Sequence, residues 1–165
     1  MKIEHTPDAL VLSEFGEFLA GLLNRITICS DPLDSPKAKE RLYSNPTKEE
    51  AQLNADWQEY VQPDLKHQFE SANEVVSGDL AAIEQARKRK EPEFLLEIPL
   101  SHVESWLNSL NQARLALAAN FEITEEDMDG EPPEVFASER DLAIFQIHLY
   151  GFLQECLIQA TDVDE

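Results

Sequence analysis

The stretch WLNSLNQARLAL, residues 106–117, decides the fold that the sequence predicts. It follows a helix-start signal, the capping box SHVE at Ser101–Glu104, and its apolar residues recur at helical spacing. Two long polar side chains, Asn111 and Arg114, stand among them and share one helix face because they lie three residues apart. A polar side chain on an apolar face costs free energy unless it is paired. We therefore expect this helix to carry paired polar groups as well as core packing.

The length and charge of the chain restrict its function. Its 165 residues are enough for one domain with its own core, residues 1–165, and too few for two large ones. With 13 Lys and Arg against 33 Asp and Glu, the net charge is −20. Such a surface repels a phosphate backbone, so direct nucleic-acid binding is not expected. It suits a protein that docks on a basic partner.

The sequence predicts a cytoplasmic protein with no membrane contact. No apolar run approaches the roughly 20 residues that a membrane-spanning helix needs, and the N-terminus MKIEH lacks the pattern of a signal peptide. The two cysteines, Cys29 and Cys156, are far apart and in no metal or redox spacing. A disulfide between them remains an alternative, but the interpretation we favour is two reduced thiols.

The N-terminal part predicts a β hairpin and then helices. Residues 1–12 form two extended pieces around a Pro-Asp turn, and Ser13 looks like the N-cap of an amphipathic helix. A second capping box, TKEE at Thr47–Glu50, opens another helix. The predicted buried face of the first helix comprises Phe15, Phe18, Leu19, Leu22, Leu23 and Ile26.

Residues 13–90 form the helical part of this prediction. From residue 64 to about residue 90 the apolar spacing is helical, with a break or kink expected at Ser77–Asp79, which includes a glycine. The basic run RKRK, residues 87–90, could dock an acidic patch or nucleic acid. We favour a helix C-terminus there, whose cations complement the helix dipole.

The C-terminal part predicts a strand and two core helices. Residues 94–98 are short, apolar and flanked by prolines, so they form a strand that could join the hairpin. Residues 101–160 hold two core helices joined by an acidic loop. The second of them, residues 138–160, is apolar well beyond one stripe, which is typical of a central helix or, alternatively, of a homodimer interface. The predicted fold class is mainly α: a single compact helical domain of five or six helices with a small β element.

Several residues in order resemble one protein family. The run from Trp106 to Leu117, the segment YGFLQE at Tyr150–Glu155, and Asp31-Pro32 followed by RLY at residues 41–43 are similar to the bacterial family DUF2017, a domain of unknown function. The resemblance covers nearly the whole chain and is strongest from Val103 to Ala160.

The resemblance implies a small cytoplasmic bacterial protein, often encoded beside the ClpS protease adaptor. Components of the Clp degradation system or of the transcription machinery are the partners that it suggests. An actinobacterial branch is connected with transcriptional control under oxidative stress through closely spaced cysteines. Cys29 and Cys156 depart from that pattern because they are far apart in the sequence.

A polar network between the two core helices is the main candidate site. We expect Arg114 to pair with Glu155, with Asn111 and Gln154 completing the hydrogen bonds and Trp106 in the same region. A guanidinium fork suits such a bidentate pairing away from water. The alternative is a binding site for an anion or a peptide carboxylate, but a paired buried charge needs no ligand to explain it.

The acidic loop EEDMDGE, residues 125–131, is a candidate calcium-binding loop. Aligning its glycine with that of an EF-hand loop places Phe136 where the closing bidentate glutamate belongs. We therefore expect a solvated loop capped by Thr124, and no metal.

No catalytic motif is present in the sequence. The four histidines are scattered, and no serine or cysteine lies in a nucleophile motif. We expect no catalytic residue and no cofactor. The leading hypothesis is a non-catalytic bacterial regulatory protein that acts through protein–protein contacts. The alternative is a small-molecule or metal-binding sensor that uses the Asn111/Arg114/Glu155 region or the loop at residues 125–131.

Overall fold

The N-terminal hairpin belongs to a four-stranded antiparallel sheet. The computed structural model describes residues 1–32, 35–87 and 92–162. The strands are β1 (Lys2–His5), β2 (Ala9–Phe15), β3 (Glu84–Arg87) and β4 (Pro92–Pro99), in the order β1-β2-β4-β3. The two central strands pair with Leu10 opposite Ile98 and Leu12 opposite Leu96. All four of these side chains are buried, so one face of the sheet lies on the core.

The helices and the sheet share this core. No helix in the described ranges is long and apolar enough to span a membrane. The predicted class, a mainly helical single domain with a small β element, is confirmed. The α-helices are α1 (Glu17–Asn24), α2 (Ile26–Ser30), α3 (Pro36–Leu42), α4 (Ala51–Asp56), α5 (Gln62–Ala81), α6 (Val103–Phe121), α7 (Glu125–Met128) and α8 (Glu139–Asp162); a π-helical turn, Trp57–Val61, joins α4 to α5.

Helix α6 lies at the centre of the helical layer. It packs against α2, α3, α5 and α8, because residues on several sides of it are small or apolar. Trp106 on α6 and Tyr150 on α8 are the largest fully buried side chains. Helix α8 buries one long side against the rest of the domain, while Phe152 and Ile158 remain about half exposed.

The hairpin is longer than the predicted residues 1–12. Strand β2 continues to Phe15, so Ser13 lies in the strand and Gly16 is the N-cap of α1. A bulge between Leu12 and Phe15 makes this possible, with Glu14 in the left-handed region at φ 54°. The extra residue turns Phe15 inward to stack on Phe94 of β4.

The predicted helix from residue 64 to about residue 90 is wrong at its C-terminal end. Helix α5 ends at Ala81, and residues 84–87 pair with β4 as an edge strand. No break occurs at Ser77–Asp79, since burial of Val76 and Leu80 carries the helix past its glycine. Arg87 therefore lies in a strand, and residues 88–90 of the basic run fall outside the described residues.

Two predicted N-caps are also wrong. Helix α4 starts at Ala51, and the Thr47 hydroxyl instead accepts from the backbone N–H of Glu49, which makes a local turn. Helix α6 starts after a 3-10 turn, Leu100–His102, that includes Ser101. His102 is its N-cap and makes no capping bond.

Candidate functional site

Arg114 and Gln154 are in contact between α6 and α8. The Nη1 of Arg114 donates to Oε1 of Gln154, and Nε2 of Gln154 donates to the backbone carbonyl of Leu107 at 3.1 Å. The guanidinium lies over Gly151: a Cβ at that position would be 3.5 Å from Cζ of Arg114. The guanidinium therefore packs on α8 at Gly151, with space left for one methyl group between them.

The predicted pairing of Arg114 with Glu155 is wrong. Glu155 is exposed and accepts a bond from Gln159 on its own helix, because it lies about 100° around α8 from Gln154. Asn111 is exposed too and takes no part in the contact. Among the described residues Arg114 makes no ion pair, and its Nε has no partner. Burial lowers the pKa of the guanidinium, in keeping with a cation compensated by an amide alone.

Gly151 provides a direct test of this packing. We expect Gly151→Ala to raise the free energy of unfolding by about 0.5–1 kcal/mol, because alanine favours a helix over glycine and the new methyl group fits at ordinary contact distance. The matched control is Gly78→Ala on α5, where nothing lies within 4 Å of the new Cβ. Urea denaturation of both variants checks this; a Gly151→Ala variant less stable than the parent would contradict the described position of Arg114.

Trp106 belongs to a different polar cluster, on the side of α6 that faces α5. Its indole Nε1 donates to Oδ2 of Asp79 at 2.8 Å, and Nδ1 of His102 lies 3.0 Å from both carboxylate oxygens. The side chain of Asp79 is only 11% exposed. This link was not predicted from the sequence: a buried indole needs an acceptor, but the pattern of α5 does not identify which residue supplies it.

A third polar group lies under α1. Tyr150 donates its hydroxyl hydrogen to the carbonyl of Leu22 at 2.9 Å and accepts from Nε2 of Gln146 at 3.0 Å. Burial raises the pKa of the Tyr150 hydroxyl, so it stays protonated. Burial likewise raises the pKa of both free thiols, Cys29 and Cys156, which favours the less reactive protonated form.

The acidic loop, which the sequence predicted to be solvated, begins with a short helix, α7. Thr124 and Asp127 make a reciprocal capping box at the start of α7, and Arg140 donates to Asp127 at 2.7 Å. These bonds, led by the one from Arg140, lower the pKa of Asp127 to about 2. Within the described ranges no three potential metal ligands gather.

A cleft of about 1090 Å³ opens between α2, α3, α5 and α6. Tyr43 and Phe69 form one wall, with ring centroids 5.8 Å apart. Deeper in, Oδ1 of Asn73 accepts from the hydroxyls of Ser30 at 2.9 Å and Ser109 at 2.7 Å. This site was not predicted from the sequence, since its residues come from four separate segments.

Gln112 lies at the bottom of this cleft with no hydrogen bond. The residue is 1% exposed, and neither Nε2 nor Oε1 has a partner among the residues that the structure describes. Each buried polar group left unpaired costs about 1–3 kcal/mol. Gln112 lies in the stretch of residues 106–117, but the sequence prediction concentrated on Arg114, two residues further along, because of its charge.

Three phenylalanine rings form a patch on the surface near the start of α8. The aromatic patch (Phe18, Phe136 and Phe145) has ring centroids 5.3 to 6.0 Å apart. Phe18 is 50% exposed, although the sequence predicted it on the buried face of the first helix. Phe136 is 38% exposed and the neighbouring Val135 79% exposed. The rings cover each other in part and still present apolar surface to water.

The comparison with known proteins gives a family and nothing further. No curated protein and no solved structure matches the chain. The profile of the family described as Domain of unknown function (DUF2017) matches residues 6–161. This span includes α6, the cleft, the aromatic patch and all of α8 except its last residue. The chain therefore belongs to the DUF2017 family.

Proposed function

We propose that the protein is a non-catalytic interaction protein that binds a basic protein partner through the aromatic patch. The observation that carries this proposal is a group of three phenylalanine rings in mutual contact, of which Phe18 and Phe136 remain partly exposed. Exposed aromatic side chains that are already held in place lose little conformational freedom on binding, and aromatic residues are enriched at protein interfaces.

The charges around the aromatic patch favour a cationic partner. Glu14 and Glu17 precede Phe18 in the chain, Glu134 and Glu139 flank Phe136, and all four are exposed. With a net charge of −20 on the whole chain, this surface attracts a basic protein and repels an acidic one. An apolar centre with a charged rim is the usual arrangement of an interface that forms and separates.

Family resemblance suggests where the partner belongs. Components of the Clp degradation system and of the transcription machinery are the candidates, and the protein would act as a bacterial regulator by occupying a surface of one of them. Self-association through α8, near which the patch lies, is the competing use of the same apolar surface.

Changing the aromatic patch should weaken partner binding without unfolding the protein. We expect Phe18→Ser and Phe136→Ser together to weaken binding of the partner by about tenfold or more, since central aromatic residues dominate interface energetics. The matched control is Phe152→Ser, which replaces an equally exposed ring on α8 outside the patch. The partner is first recovered from bacterial lysate on the immobilised protein, with an unrelated protein of equal charge as a reference, and is then purified for titration.

The outcomes separate this proposal from its competitors. Support requires a basic partner whose affinity falls in the patch variants and with rising salt, while the Phe152→Ser variant binds normally. Unchanged affinity of the patch variants would contradict the proposal. So would sedimentation data in which the patch variants abolish only self-association.

A further inference from the structure

We propose that the cleft between α2, α3, α5 and α6 binds a small planar ligand that is neutral or cationic and carries a hydrogen-bond donor beside an acceptor. A nucleobase and an aromatic carboxamide both have this chemistry. The cleft is separate from the aromatic patch. The result of a ligand-binding test at the cleft therefore leaves the proposed protein–protein interaction unaffected.

The amide of Gln112 is the first part of the argument. It offers an N–H₂ donor and a carbonyl acceptor side by side, the pattern with which glutamine makes paired hydrogen bonds to the edge of adenine. Both atoms lie just beneath the floor of the cleft and have no partner among the described residues. Rotation of this side chain into the cleft would exchange an unpaired amide for a doubly bonded one. Binding of a ligand with the matching edge is therefore favoured twice: the ligand makes its own contacts, and the protein loses an unpaired buried amide.

Asn73 holds a second amide beside it. Its carbonyl oxygen accepts from the hydroxyls of Ser30 and Ser109, which fixes the side chain between α2 and α6. Because the oxygen is already used twice, the amide hydrogens are the part of Asn73 left to meet a ligand. The floor of the cleft thus presents polar groups in fixed positions between the packed helices.

The aromatic wall selects a flat ligand. Tyr43 and Phe69 stand 5.8 Å apart with their planes at 36°, and both line the cleft. Their rings pack on the small cluster of Ala38, Leu42 and Ala116, which holds them in position. A planar ring that enters the cleft can stack on this wall while its edge reaches the amides.

The charges at the cleft disfavour an anion. Four carboxylate residues line it, against two lysines, and one lysine, Lys66, lies 3.6 Å from Glu70 in an ion pair. The negative charges of Glu70 and Asp31 add to burial in raising the pKa of Tyr43, so they are felt inside the cleft. A phosphate or carboxylate on the ligand would face this field, so we infer a ligand without one. The carboxylate residues are Asp31, Glu40, Glu70 and Glu74.

The test uses adenosine, nicotinamide and AMP as probes of the full-length protein. Titrations followed by two-dimensional NMR should show adenosine or nicotinamide shifting the side-chain NH₂ signals of Gln112 and Asn73. AMP should bind several-fold more weakly than adenosine. Gln112→Met keeps the volume of the side chain and removes its polar atoms, and we expect it to weaken binding by about tenfold or more.

Two further variants keep the result unambiguous. Gln159→Met, an exposed glutamine on α8, is the matched control and should bind like the parent. Tyr43→Leu tests the stacking wall independently of Gln112 and should also weaken binding. Binding of adenosine alone assigns a nucleobase, and binding of nicotinamide alone assigns a carboxamide. The proposal is overturned if neither probe binds, if Gln112→Met binds as tightly as the parent, or if AMP binds as well as adenosine.

Discussion

Asp79→Ala is expected to lower the free energy of unfolding by about 2–3 kcal/mol. The carboxylate accepts the indole hydrogen of Trp106, which is fully buried, and also lies within hydrogen-bond distance of His102. Without it the indole N–H stays in the core with no acceptor, and the link between α5 and α6 is lost. Urea denaturation followed by circular dichroism measures the loss.

The comparison variants show whether the hydrogen bond is responsible. Asp79→Asn keeps an acceptor oxygen at the same place, so we expect it to cost about 1 kcal/mol less than the alanine variant. Trp106→Phe removes the indole donor, so the loss in the Asp79→Ala/Trp106→Phe double variant should be smaller than the sum of the two single losses. Glu74→Ala, an exposed carboxylate on the same helix, should stay within about 0.5 kcal/mol of the parent. Equal effects of Asp79→Ala and Glu74→Ala would contradict the buried bond.

Tyr150→Phe is expected to lower the free energy of unfolding by about 1–2 kcal/mol. The hydroxyl joins α8 to the carbonyl of Leu22 on α1 and accepts from the buried amide of Gln146. Removing it leaves that amide with the Cys29 sulfur at 3.9 Å, a weak acceptor, as its neighbour. The carbonyl of Leu22 suffers less, since it also accepts from the backbone N–H of Arg25.

A double-mutant cycle measures the contribution of the hydrogen bond between Gln146 and the Tyr150 hydroxyl to stability. Gln146→Leu in the Tyr150→Phe background removes the orphaned amide, so the double variant should be more stable than the sum of the two single losses predicts. Strictly additive losses would mean that the Gln146–Tyr150 bond contributes nothing to stability. Leu157 is fully buried on α8, about two helical turns after Tyr150, and needs no polar partner. Leu157→Ala therefore gives a reference value for the loss of purely apolar contacts, about 2–5 kcal/mol.

The fold class could be read from the sequence because it depends on apolar spacing. The long apolar faces of α6 and α8 are visible as residues that recur every three or four positions, and the proline-flanked residues 94–98 identify a strand. Local starts and ends were less predictable. Ser13 has good capping chemistry, but pairing with Lys2 of β1 and the bulge between Leu12 and Phe15 decide its conformation.

The polar contacts were the least predictable part. Arg114 and Gln154 do meet, whereas Glu155 and Asn111 point to water, because one residue along a helix changes direction by about 100°. Asp79 and Asn73 gave no signal at all: their partners come from α6 and α2, and only the assembled fold brings them within bonding distance. Polar contacts between residues of several segments are therefore found only once the structure is known.

The order of strands in the sheet also has a consequence for synthesis of the chain on the ribosome. Strand β2 lies between β1, its neighbour in the sequence, and β4, which is made more than 75 residues later. Until residue 99 has left the exit tunnel, one edge of β2 has no strand to pair with. The residues of α6 and α8 that share a core cluster with Leu10 and Leu12 are made later still. The nascent N-terminal part therefore contains a hairpin with an unpaired edge and an uncovered apolar face, and such features attract chaperones or other nascent chains.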